Sequence, residues 1–236
     1  MRVADKYKPK NLSEVIYPSA TVEQRIMAHA SGGLSGNLML WGPNGTSKST
    51  VANLLPEAIS GEDAIVEGKS LSVLLDQPNF QAIISNSCML ASFNANSQYY
   101  IVSHELDSYK IKAHEFWVLM DKYSTQMKVI ITTNDPMKVH QSIRSRCTAV
   151  HFPAVQPQQV LQRAQYILQK EGVHLTDAAV MHYLSAVQHH GDLRKYFEKL
   201  DDLIFLQSKG APFPPVPNGT KASTPLSIVP SIKKAA

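Results

Sequence analysis

Four short apolar runs, each closing on a polar or turn-forming cluster, set the pattern of the chain. Asn37-Leu38-Met39-Leu40-Trp41 stops at Gly42, and Tyr99-Tyr100-Ile101-Val102 stops at Ser103-His104-Glu105-Leu106-Asp107. Lys128-Val129-Ile130-Ile131-Thr132-Thr133 stops at Asn134-Asp135-Pro136, and Thr148-Ala149-Val150-His151-Phe152 stops at Pro153. Runs of this length without strict alternation read as strands buried on both faces. Helical spacing follows Lys48 through Val51, Leu54 and Leu55. It recurs from Ala113 to Tyr123 with Phe116, Trp117 and Met120. Strands alternating with helices predict an α/β fold: a parallel sheet with helices on both faces.

From Pro157 the spacing turns wholly helical. Val160, Leu161, Ala164, Ile167 and Leu168 suit one helix, Asp177 to Val187 a second with Thr176 as N-cap, and Asp192 to Leu206 a third. Beyond Ser208 the composition shifts, with six of the chain's 14 prolines between Ala211 and Ala236. The expected organisation is therefore an α/β domain over residues 1–153, a small all-α domain over 154–208, and a Pro-rich disordered tail over 209–236.

The first apolar run leads into Gly42-Pro43-Asn44-Gly45-Thr46-Ser47-Lys48-Ser49-Thr50. Gly, four residues, Gly, Lys and then Ser or Thr is the pattern of a phosphate-binding P-loop between a strand and a helix, and Gly42, Lys48 and Ser49 match it. Gly42 and Gly45 let the backbone aim N–H groups at phosphate oxygens. Lys48 supplies the charge for the outer phosphates, and Ser49 offers a hydroxyl to Mg²⁺. The helix that starts there adds its positive dipole end. The loop departs from the pattern at Ser47, where glycine is usual. Its side chain is expected either to crowd the phosphates or to give them one more hydroxyl.

Composition narrows the picture without changing it. Of the 236 residues, 44% are hydrophobic and 18% charged, ordinary for a soluble globular chain. No run approaches the roughly 18 apolar residues of a membrane helix, so no membrane partner is expected. The start MRVADKYKPKN has no signal-peptide core, and Cys88 and Cys147 lie far apart, so a reducing cytoplasmic setting is expected. The net charge of +4 is compatible with nucleic acid but does not argue for it. Between Ser70 and Tyr109 there is no Lys or Arg.

Six pieces in order resemble the small subunits of sliding-clamp loaders, AAA+ ATPases of the replication-factor-C and phage type. They are Asp5-Lys6-Tyr7-Lys8-Pro9 with Lys10-Asn11-Leu12-Ser13-Glu14-Val15, the P-loop, HELD at 104–107, TTND at 132–135, SRC at 145–147, and GDLRK at 191–195. The resemblance runs from about residue 5 to 206. It implies that Tyr7 and Pro9 line the adenine and interdomain region, and that Glu105 orients the attacking water. Asn134 helps to position that water, as sensor 1. Arg146 is implied to be an arginine finger for ATP in a neighbouring subunit, and Arg194 the sensor 2 of the lid. ATP and Mg²⁺ are the implied ligands. Other AAA+ subunits and a sliding clamp are the implied partners. Taken singly, Glu105 reads better as a surface carboxylate, Arg146 as a solvated charge, and Arg194 as an ion-pair partner of Asp192; together, in this order, they read as functional.

Three departures shape the expectation. His104 stands where the family carries the Walker B aspartate, and a neutral imidazole cannot replace a carboxylate near Mg²⁺. With Ser47, this predicts ATP binding with impaired hydrolysis. The helix before Asn96 lacks basic residues, and Trp117, Val118 and Leu119 stand where the family commonly has them, leaving Lys110, Lys112 and Lys122. That predicts weak or indirect DNA contact. The collar domain that follows the lid in the family has no counterpart, which predicts a different assembly, or docking of the tail on a partner through Pro225-Leu226-Ser227-Ile228-Val229. Two other readings stay open: a non-hydrolysing scaffold that donates Arg146 to a partner, and a small loader or regulator of a helicase or transposition complex.

Overall fold

The computed structural model describes residues 2–68, 70–94, 97–106 and 113–216. Its centre is a parallel sheet of β1 (Asn37–Trp41), β2 (Ile65–Val66), β3 (Tyr99–Ser103), β4 (Met127–Thr133) and β5 (Cys147–His151), in the order β2-β3-β4-β1-β5. Leu38 pairs with Ile130 on one side and Thr148 on the other, so β1 lies inside the sheet. Its C-terminal end is flanked by the ends of β4 and β5.

The helices are α1 (Val3–Lys6), α2 (Ala20–Ala30), α3 (Lys48–Ser60), α4 (Leu71–Asp76), α5 (Phe80–Ala91), α6 (Ala113–Lys122), α7 (Gln141–Arg144), α8 (Pro157–Lys170), α9 (Asp177–Ser185) and α10 (Leu193–Ser208). Alternate residues of each strand enter different cores. Met39, Tyr99, Ile101, Val129 and Ile131 pack with α4, α5 and α6, whereas Leu38, Leu40, Tyr100 and Ile130 pack with α2 and α3. A strand covered on both faces can carry no polar alternation, which is why β1, β3 and β4 read as continuous apolar runs. Edge strand β5 is the exception, with Thr148, Ala149 and His151 exposed.

The third core belongs to the helical region, where Val160, Ala164, Ile167, Val180, Leu184, Tyr196 and Leu200 are fully buried. Thr176 caps α9 by accepting from the Ala179 N–H at 3.3 Å. The chain's beginning joins this core: Val3 is buried in it, and the Val3 N–H donates to Asp201 Oδ1 at 2.9 Å. The Tyr7 hydroxyl and the Lys6 ammonium both donate to Glu171 on the loop after α8. The N-terminal segment therefore straps the sheet domain to the helical one.

The start of the expected disordered tail is also packed. Phe213 and Val216 lie against the helical core, and the Tyr183 hydroxyl donates to the Pro214 carbonyl at 2.7 Å. Apolar residues interleaved with the prolines give this stretch surface to bury, which composition alone conceals. Residues 217–236, including Pro225 to Val229, lie outside the described residues.

The Tyr196 hydroxyl, fully buried, donates to the Val155 carbonyl at 2.9 Å and ties α10 to the segment leaving β5. Tyr196→Phe removes that donor and is expected to lower unfolding free energy by about 1–2 kcal/mol, measured as a lower urea midpoint at unchanged slope.

Candidate functional site: a glycine-shaped loop facing the helical region

The loop between β1 and α3 is shaped by two close approaches. Gly42, at φ 143°, donates its N–H to the Thr133 carbonyl at 3.2 Å, and a Cβ there would stand 2.0 Å from the Phe152 carbonyl oxygen. Gly45, at φ 67°, faces the lid: a Cβ would meet the Asp192 carboxylate at 1.7 Å. The Gly45 carbonyl accepts from the Leu193 N–H at 2.9 Å, so loop and lid meet backbone to backbone. Asp192 also caps α10, accepting from the Arg194 N–H at 2.8 Å. Asp192 thus meets Arg194 through its main chain, as a helix cap.

Ser47 adopts the left-handed conformation, φ 68° and ψ 4°, at the N-cap of α3. That backbone suits glycine, and a side chain there stores strain. The Ser47 hydroxyl turns away from the phosphate position and donates to the Ile16 carbonyl at 3.0 Å. The hydroxyl is thus spent on the N-terminal segment, while Ser47 still lines the cleft. Lys48 is buried, 7% exposed, and its ammonium donates to the carbonyls of Gly42 at 2.8 Å and Pro43 at 2.5 Å. Thr46 is buried behind it, its hydroxyl donating to the Pro43 carbonyl at 3.0 Å.

A cleft of about 340 Å³ opens between this loop and the lid. Asn44 to Thr50 form its floor. Glu105, Thr132, Thr133 and Asn134 come from the ends of β3 and β4, Arg194 and Phe197 from α10, and Tyr7, Lys8 and Pro9 from the strap. Tyr7, Pro9, Lys48, Ser49, Glu105, Asn134 and Arg194 are therefore brought together, while Gly42 and Pro43 stand behind the loop and shape it. Sequence reasoning did not single out Arg163. From α8 it reaches the same cleft, donates to the Tyr7 carbonyl at 3.2 Å and lies 3.7 Å from the Glu14 carboxylate. A charged residue beside the apolar stripe of α8 was the available signal.

Glu105 sits at φ 54°, so a second non-glycine residue of the site holds the left-handed region, and its N–H donates to the Thr132 hydroxyl at 3.4 Å. His104 beside it points to α3: Nε2 donates to Asn53 Oδ1 at 3.0 Å, and Nδ1 lies 3.4 Å from the Thr132 hydroxyl. One ring edge is open to solvent, yet desolvation of the rest lowers the imidazole pKa below its ordinary value, against the pull of the Glu105 charge. The ring is thus a neutral hydrogen-bonding bridge between α3 and β4. Asp107, the last residue of the HELD segment, lies outside the described residues.

Arg146 does not line the cleft. It precedes β5, in register with the start of β1, whereas the phosphate loop follows the end of β1. Four residue steps of strand place the two ends roughly 13 Å apart. The guanidinium is held on α6 instead: Nε and Nη2 donate to the two Asp121 carboxylate oxygens at 2.7 and 2.6 Å, and Nη1 donates to the Ser142 carbonyl at 2.7 Å. Its plane lies 4.3 Å from the Trp117 ring centre. The arginine's hydrogen bond and charge pull the exposed Asp121 carboxyl below the usual carboxylate range.

The solved RuvB Holliday junction branch migration motor of Thermotoga maritima superposes on this chain with a TM-score of 0.62 at 16% identity, over 87% of this chain and 68% of that one. At that identity the likeness speaks for the fold. The fold is that of an AAA+ module. No family model matches the chain. In sequence, a replication factor C small subunit of Methanosarcina mazei is 25% identical over 86% of this chain and 60% of its own length. The corresponding protein of Staphylothermus marinus is 28% identical over 81% and 58%. The chain resembles replication factor C small subunits. It spans about 60% of the length of these curated relatives.

The helical region stands over the loop between β1 and α3, with Arg194 and Phe197 of α10 facing it across the cleft. Among the described residues no helix is long and apolar enough to cross a membrane. Among the described residues no group of three or more His, Cys, Asp or Glu is clustered to hold a metal by itself.

The strain at position 47 gives an ordering of stabilities. Ser47→Ala keeps the left-handed backbone and loses the bond to Ile16, so it is expected to cost about 1 kcal/mol. Ser47→Gly loses the same bond but releases about 1 kcal/mol of strain, and stays near wild type. Urea midpoints in which the alanine variant equals or exceeds the glycine variant would contradict this account.

Proposed function

We propose that the chain binds ATP in the cleft between loop and lid, and that Arg146 serves a nucleotide held by a neighbouring subunit. The observation that carries this reading is the division of the site's charges between two ends of one sheet. Lys48, Glu105, Asn134 and Arg194 converge on the cleft, while Arg146 lies roughly 13 Å of strand away, by the rise of a β-strand. An arginine so placed cannot reach its own chain's phosphates without rebuilding the sheet.

The cleft suits a nucleoside triphosphate. The Gly42 and Gly45 close approaches form a loop whose N–H groups, with the α3 dipole, favour a polyphosphate. The ammonium of Lys48, bonded to loop carbonyls, can exchange these for the outer phosphates. Tyr7, Pro9, Ile16 and Phe197 offer apolar surface at the other end for a base. Mg²⁺ would take the Ser49 hydroxyl together with phosphate oxygens, and when bound it neutralises charge on the phosphates. Glu105 is the carboxylate placed to orient a water, with Asn134 beside it, and Arg194 carries positive charge from the lid. The roles of these residues, the domain division at 153 and 208, and a cytoplasmic location are part of this proposal.

The relatives' description as replication factor subunits supports assembly with other AAA+ subunits and a part in DNA replication, as a clamp loader or in a linked remodelling step. A sliding clamp is the partner class this implies. Direct DNA contact has less support. The α5 end carries exposed Met89, Leu90 and Phe93 in place of basic residues, Trp117 is occupied by Arg146, and Lys110 and Lys112 lie outside the described residues.

One observation favours a second reading. His104 is a neutral bridge to Asn53 where a magnesium-orienting carboxylate would stand, so the chain can serve as a nucleotide-holding scaffold that lends Arg146 to an active partner.

Two measurements decide between these. Lys48→Ala is expected to weaken binding of a fluorescent ATP analogue by about 10- to 100-fold, and unchanged affinity would remove the cleft from the mechanism. His104→Asp is expected to raise steady-state ATP turnover about 10-fold or more, with Glu105→Gln slowing it. If neither substitution changes the rate, the catalytic reading fails and the scaffold reading stands.

A further inference from the structure

The hold on Arg146 is more complete than a solvated surface arginine requires. The fork formed by Nε and Nη2 is filled by both oxygens of Asp121, the Nη1 edge is taken by the Ser142 carbonyl, and one face of the plane lies on Trp117. A carboxylate and a phosphate present the same pair of oxygens to such a fork. Asp121 therefore occupies the place where a neighbour's nucleotide would bind.

We propose that Asp121 and Trp117 are positioning residues that hold Arg146 in reserve: its ion pair with Asp121 must open before the arginine can engage a nucleotide on a second copy of this chain. The proposal rests on the reading of Arg146 as a group that acts across a subunit boundary. The latch is built to be exchanged. The Asp121 side chain is 52% exposed and that of Arg146 27%, and a pair so open to water is held weakly against a more highly charged competitor. Trp117 plays a different part. Stacking against its face does not consume the fork, so the ring keeps the arginine in plane while the carboxylate is replaced by phosphate. Both residues lie on α6, which follows the β3 end that carries Glu105.

The test is self-association of the full chain, by sedimentation with and without Mg²⁺ and the non-hydrolysable analogue AMP-PNP, so that a slow or absent turnover does not affect the result. Asp121→Asn keeps the side-chain volume and removes the competing charge. It is expected to tighten the nucleotide-dependent association about tenfold, Asp121→Glu to restore wild-type behaviour, and Arg146→Gln to weaken association whether alone or combined with Asp121→Asn. A purely structural ion pair would instead lower the melting temperature of Asp121→Asn with no nucleotide-dependent gain. If Arg146→Gln weakens association but Asp121→Asn does not strengthen it, the latch is overturned and the trans-acting arginine stands. If Arg146→Gln has no effect, or no variant associates, the trans-acting reading fails and the latch goes with it.

Discussion

The close approach of bare backbone at Gly42 and Gly45 is the constraint on which the rest of the site depends. At Gly42 the loop leaves β1 against the Phe152 carbonyl, and at Gly45 it turns into the Asp192 carboxylate of the lid. A single methyl group at either point would collide with atoms that belong to another element. The end of the sheet, the start of α3 and the start of α10 are therefore fixed relative to one another by contacts that admit no side chain. The cleft is the space left over, and its polar lining follows from which strand ends surround it.

Much of this was legible in the sequence, and for a physical reason. β1, β3 and β4 are covered on both faces, so their apolar runs mark their limits within a residue, and the clusters that end β3 and β4 supply Glu105 and Asn134 to the cleft. β2 is only two residues long and left no run to read. α2 was missed because its buried face rests on little more than Val22, Ile26 and a buried His29. The partners of Arg146 were beyond reach for another reason. Asp121 and Trp117 precede it by 25 and 29 residues on a different element, and only the packing of α6 beside α7 brings them together. The position of Ser47 was plain, but the direction of its hydroxyl depends on a left-handed φ that sequence does not announce.

Under the proposed reading, binding and hydrolysis separate at His104. What would hold a polyphosphate here is backbone geometry, the α3 dipole and Lys48, none of which requires residue 104. What would orient a metal is a negative charge at the end of β3, and there the chain carries a ring bonded to Asn53 and facing Thr132. These bonds join α3 to β4 at the point where the two elements diverge, so the histidine contributes packing order in the position where it withholds charge. A pocket can thus remain well formed after its catalytic electrostatics have been weakened, because the two depend on different atoms.

The two ends of the sheet then carry unequal shares of the chemistry. In a parallel sheet every strand C-terminus lies on one edge, so residues that follow β1, β3 and β4 meet without special arrangement, and Arg146, which precedes β5, is excluded from them by the same rule. Strand polarity, not loop flexibility, is what assigns this arginine to the outside of its own site. A surface arginine with no neighbour present still has to be kept from random contacts, and a nearby carboxylate with an aromatic face does this at little cost in stability because the pair is solvated. Under the proposed reading, the Asp121 pair and the displaced position of Arg146 follow from one cause: a cationic group at the wrong end of the sheet for its own chain, and at the right end for the next.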